Sequence, residues 1–135
     1  MNEDWFAQIE SKVFTKVSYM LTEREDAPFP NMKCTTVSQN TVVNFPTMYL
    51  HELQPVEAGN DLDNTTVNAV LSTMEVMVWS NESEKHCKDI MAAVILEMKN
   101  LRYNVTMFPV VQTDSKIAKG VARFRRMIGA GDSFI

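Results

Sequence analysis

Residues 66–101 read TVNAVLSTMEVMVWSNESEKHCKDIMAAVILEMKNL, and this stretch decides the fold. Its first half is rich in β-branched and apolar residues and holds no glycine or proline. The centre is apolar on both parities, with Val70, Met74, Val76 and Val78 on one and Leu71, Met77 and Trp79 on the other. Such a strand is expected to be central in its sheet and covered on both faces. Asn81-Glu82-Ser83-Glu84 then offers a capping box, with Asn81 as N-cap and Glu84 at the third helical position. The helix it opens runs to about Leu101 and aligns Cys87, Ile90, Met91, Val94, Met98 and Leu101 on one face.

Upstream, residues 2–21 place Phe6, Ile9, Val13, Val17 and Met20 at helical spacing. Pro28 and Pro30 stop that helix. Residues 32–39 read as a short strand, and Asn44-Phe45-Pro46 as a break before a strand over residues 47–54. Residues 56–65 (VEAGNDLDNT) read as a polar loop. Downstream, residues 103–111 form a strand bent at Pro109, Asp114-Ser115-Lys116 a turn, and residues 117–128 the last strand, ended by Gly129 and Gly131. The expected fold is α+β. About five mainly antiparallel strands carry two packed helices in the order α-β-β-β-α-β-β, as one domain over residues 1–135.

Composition is that of an ordinary globular chain, 45% apolar and 22% charged. Two cysteines make no disulfide framework, and no apolar run is long enough to cross a membrane. The acidic opening MNEDWF is unlike a signal peptide, so a reducing cytoplasm is expected. Ten methionines read chiefly as core filler, with an adaptable contact surface as the alternative.

Catalytic and metal signatures are missing from the sequence. Neither glycine-rich phosphate loop is present. His86 and Cys87 are adjacent on a helix and point about 100° apart, which rules out a shared metal on a regular helix. His51 and Cys34 lie in other elements. Asp61 and Asp63 flank Leu62 without a calcium-loop pattern, and read as a solvated acidic loop. No catalytic residue, metal site or cofactor is expected.

The strongest functional signal is charge segregation. From Lys99 onward there are seven Lys/Arg and two Asp/Glu, a balance of +5, whereas residues 1–98 carry six and fifteen, a balance of −9. Arg123, Arg125 and Arg126 sit on the last strand, with 123 and 125 on one face and 126 on the other beside Phe124 and Ile128. They suit ion pairs across a subunit boundary better than DNA contact, because the acidic body repels nucleic acid. A nucleic-acid module using these arginines, with Phe124 or Tyr103 for stacking, stays open as an alternative. A small hydrolase or transferase using His51 and an acidic pair has no support from spacing.

Four pieces in order, FPTMYLHEL, NAVLSTMEVMVWSN, SEKHCKDIMAAVILEMKNLRY and VARFRRMIGAGD, complete the pattern. With the N-terminal amphipathic helix, they make the chain resemble the tail terminator (tail-completion) proteins of long-tailed, non-contractile phages over nearly its whole length. The resemblance implies a non-enzymatic virion subunit, assembled in the host cytoplasm and located at the head-proximal end of the tail. It implies a homo-oligomer, a hexameric ring that caps the tail tube protein, stops elongation and docks to the head-closure or connector protein. DNA only passes through the lumen. A tail tube subunit or a head-closure protein is the nearer alternative. In this frame Asp61 and Asp63 are expected to meet Arg123, Arg125 and Arg126 of a neighbour, while the tail from Asp132 to Phe134 and Ile135 docks onto a partner.

Overall fold

A computed structural model of the chain describes residues 5–38, 41–58 and 67–132. In chain order these form a 3-10 turn (Trp5–Gln8), helix α1 (Ile9–Ser18), a π turn (Tyr19–Glu23), strands β1 (Lys33–Thr35), β2 (Thr47–Glu52), β3 (Val56–Ala58) and β4 (Ala69–Ser80), helix α2 (Glu84–Asn100), and strands β5 (Asn104–Asp114) and β6 (Ile117–Gly129). The architecture is α+β, as expected. The described strands number one more than expected because β3 occupies the start of the segment read as a loop. The rest of that segment lies outside the described residues.

The sheet order is β1-β2-β4-β6-β5, with β3 also on β4. Every pairing is antiparallel except β1 with β2. β6 follows β4 along its whole length, from Ala69↔Gly129 to Ser80↔Ala118. β2 and β3 therefore share the other side of β4. Between Glu52↔Met74 and Val56↔Leu71, three residues on one strand oppose two on the other. This bulge holds Pro55, which has no N–H to give a ladder. Leu53 N–H still donates to Thr73 O at 2.8 Å. β5 is bent as predicted near Pro109, with register shifts between Val105 and Met107 and between Met107 and Val110. The β5–β6 hairpin closes on Ser115 and Lys116, both at positive φ (51° and 67°), as a two-residue hairpin turn demands.

Both helices cover one face of the sheet. Ile9, Val13, Val17 and Leu21 from the first helical segment and Cys87, Ile90, Met91, Val94 and Met98 from α2 meet Met48, Leu50, Val70, Met74, Val76, Val78, Ala122, Phe124 and Ile128. These strand residues all belong to one parity of each strand. Leu21 is inward where Met20 was expected, because the π turn winds more residues per turn and moves the stripe along by one.

Two further expectations are corrected. β4 is central, but it is not covered on both faces: Leu71, Met77 and Trp79 lie on the side away from the helices and are half-buried. The N-cap of α2 is Ser83, whose Oγ accepts from His86 N–H at 3.0 Å, and Glu84 is the first helical residue. β4 extends to Ser80, whose hydroxyl accepts from Glu82 N–H, so the turn uses up Asn81 and Glu82 before the helix begins.

α2 lies close to β6 at Gly120. A Cβ there would sit 3.0 Å from Met91 Cγ and 3.3 Å from Cys87 Sγ. We expect Gly120→Val to overpack this contact and cost about 1–3 kcal/mol. In urea titrations of the two variants, Gly131→Ala, facing open space, should stay within about 0.5 kcal/mol of the parent, whereas Gly120→Val should not.

Candidate functional site

The sheet face turned away from the helices is the candidate site, and strand register arranges it in rows. Tyr49, Met77, Val121 and Val110 align across β2, β4, β6 and β5 as an apolar row. The next row is His51, Glu75, Arg123 and Met107. Beyond it come Thr73, Arg125 and Asn104, then a second apolar row of Val56, Leu71 and Met127. At the other end Trp79 pairs with Lys119, whose Nζ lies 5.5 Å from the indole centroid. Thr41, Val42 and Phe45, with Trp79, Gln112 and Lys119, wall an open groove of about 560 Å³.

The charged row is a connected chain. His51 Nε2 lies 2.8 Å from Glu75 Oε1, and Arg123 Nε donates to Glu75 Oε2 at 2.9 Å. An ionised carboxylate only accepts, so the proton of the first bond is on His51 Nε2. Tyr49 stacks on the His51 ring with centroids 4.6 Å apart and holds its orientation. Burial pushes the Glu75 carboxyl up, but the bonds from His51 and Arg123 and their charges outweigh it and leave it below the ordinary value. A carboxylate held low is a weak base, so this row is suited to fixing charge on a surface.

Polar groups on the helix-facing side serve the fold. Arg126 is buried, donating from Nη1 to Leu101 O at 3.0 Å and from Nη2 to Asp132 at 2.6 Å. Ser72 donates to Glu52 at 2.8 Å and accepts from Tyr103 OH at 2.9 Å. Burial raises the Glu52 carboxyl, with the Ser72 bond opposing and the nearby Glu10 charge adding to it. Burial likewise pushes the Tyr103 hydroxyl up to about 12.

The predicted residues therefore divide. Arg123 and Arg125 share the open face, and Arg126 takes the other, as read from strand parity. Arg126 and Asp132 bind each other within the chain, which fixes the turn after β6 and takes the buried Arg126 out of the surface, while Asp132 stays exposed. Asp61, Asp63, Phe134 and Ile135 lie outside the described residues. Phe124 and Tyr103, the aromatics needed for base stacking, are fully buried, so they cannot stack on bases. Cys87 is buried, and desolvation raises its thiol, with a backbone bond from Gly120 opposing. Among the described residues no three His, Cys, Asp or Glu side chains gather as a metal site, and no helix is long and apolar enough to cross a membrane. Of the open-face members, Tyr49, Glu75, Met77, Trp79, Lys119 and Val121 are not singled out as a site by the sequence, and His51 enters there only in the enzyme reading. The available signal was Glu75, a charge on the outward parity of an otherwise apolar run.

Two titrations test these environments. Glu75 is lower in the folded state than its ordinary 4.5, so it stabilises the fold above that pH and the gain is lost as pH falls through its folded value. The thermal midpoint of the parent should fall more steeply below pH 4.5 than that of Glu75→Gln. Tyr103 is raised, so its contribution is complete below pH 10 and disappears as pH rises towards 12. In an ultraviolet titration of the three tyrosines, one should ionise last, near 12, and that step should vanish in Tyr103→Phe.

The chain matches no protein-family model and no curated protein, which leaves the side chains of the open face as the guide to function.

Proposed function

We propose that this protein is a structural virion subunit whose ring caps a phage tail tube, stops its elongation and presents the surface that joins tail to head. The observation that carries this reading is the sheet face that both described helices leave uncovered. Two apolar rows, Tyr49-Met77-Val121-Val110 and Val56-Leu71-Met127, flank a fixed ionic row on a surface that the chain's own helices leave bare. Contiguous apolar patches with a charged pattern mark macromolecular contact sites. Segregated charge adds support, since opposite signs on different parts of one chain favour head-to-tail contact with copies of itself. The ring number of six, the tube and connector partners and the virion location come from the family resemblance of the sequence.

Nucleic-acid binding is the weaker reading. Arg123 is already paired with Glu75 and Arg126 is directed inward, which removes two of the three arginines from phosphate contact. A tube subunit or head-closure protein would use the same kind of surface, and assembly behaviour separates the three. With purified tail tubes under negative stain, we expect one ring at one end of each tube and no lengthening. Long tubes formed by the protein alone, or tubes left bare, would overturn the reading.

A further inference from the structure

The two margins of the sheet carry opposite chemistry. On the β5 side, Lys119 and Arg125 project from β6 onto the open face, and Phe108 and Val110 on β5 are more than half exposed. On the β1 side, Glu23, Glu25 and Asp26 are exposed where the first helical segment ends, and Val37 and Val43 beyond β1 are about 70% exposed. Ser18 and Glu23 both act on the Cys34 thiol, which sets this acidic corner against β1. None of the three acids forms an ion pair among the described residues.

Resting on the ring reading above, we propose that the acidic β1 margin of one copy is the occupant of the basic β5 margin and open face of the next. Within one subunit, β1 and β6 are separated by β2 and β4, three strand spacings or roughly 14 Å. That exceeds the screening length of about 8 Å at physiological salt, so neither cluster neutralises the other internally. A two-fold contact would set the cations of the open face against themselves, whereas a head-to-tail contact pairs unlike charges and apolar with apolar. The contact is made by side chains. β1 has three residues and β5 breaks register twice, so neither edge offers a long ladder to extend. Each margin also carries one charge opposite to its own sign, Lys33 on β1 and Asp114 at the hairpin tip. Arg24 is tied by its Nε to Met20 O at 2.8 Å.

The test uses two charge-reversed full-length chains, Lys119→Glu/Arg125→Glu and Glu23→Lys/Glu25→Lys, studied by sedimentation alone, mixed, and with tail tubes. Each alone should self-associate about tenfold or more weakly than the parent, and an equal mixture should recover assembly because every contact again joins unlike charges. Salt at about 1 M, where screening acts within about 3 Å, should weaken the parent and the mixture alike. The neutral pair Lys119→Gln/Arg125→Gln, with an unchanged thermal midpoint, separates lost contact from lost folding and should show an intermediate loss. Rings on tubes that form equally well with either reversed chain overturn this contact while leaving the ring reading intact. Mutual rescue in solution without rings on tubes upholds the contact and overturns the ring. A parent chain that stays monomeric with and without tubes overturns the contact.

Discussion

The pairing of β4 with β6 over twelve consecutive positions is the constraint on which the rest of the structure depends. Side chains alternate strictly along paired strands, so one fixed register assigns every residue of both to a face. Val70, Met74, Val76, Val78, Ala122, Phe124 and Ile128 go to the helices. Leu71, Glu75, Met77, Trp79, Lys119, Val121, Arg123, Arg125 and Met127 go outward. A slip of β6 by one residue against β4 would turn Arg123 and Arg125 under the helices and expose Phe124. The fold and the candidate site are thus two sides of one hydrogen-bonded ladder.

The helix-facing layer is not wholly apolar, and its polar members sit where chain segments meet. Ser72 on β4, Glu52 at the end of β2 and Tyr103 before β5 share one hydrogen-bonded cluster, and Glu10 of α1 accepts from Glu52 N–H at 2.8 Å. Arg126 on β6 binds the last carbonyl region of α2 through Leu101 O and the terminal turn through Asp132. Satisfied buried groups of this kind contribute little net energy but cost several kcal/mol when one partner is removed. They act here as position markers that hold the helix ends and the C-terminal turn to the sheet.

The outward layer places a low carboxyl between His51 and Arg123 and then frames that row with apolar side chains. Glu75 is nearly buried although it faces away from the helices, because His51, Arg123 and the adjoining rows close around it. Methionine has two roles in the molecule. Met48, Met74, Met91 and Met98 fill the core, while Met77, Met107 and Met127 lie on the open face. The flexible thioether suits both irregular interior gaps and a surface that adapts to a partner.

Local pattern sufficed for much of this architecture. The apolar spacing of α2, the long run of β4, the bend at Pro109 and the split of Arg123 and Arg125 from Arg126 all follow from periods of 3.6 and 2 that belong to the chain itself. What each face meets does not. Leu71, Met77 and Trp79 look like core residues in sequence, and only the seating of both helices on one side leaves them outward. Arg126 and Asp132 look like part of a charged surface, and only the position of Leu101 and the terminal turn makes them an internal pair. The ionic row of His51, Glu75 and Arg123 joins residues from three strands, and register between distant segments is a property of the folded sheet. Periodicity is written along one strand, whereas partnership needs a second, and that is why the elements were legible in sequence and the site was not.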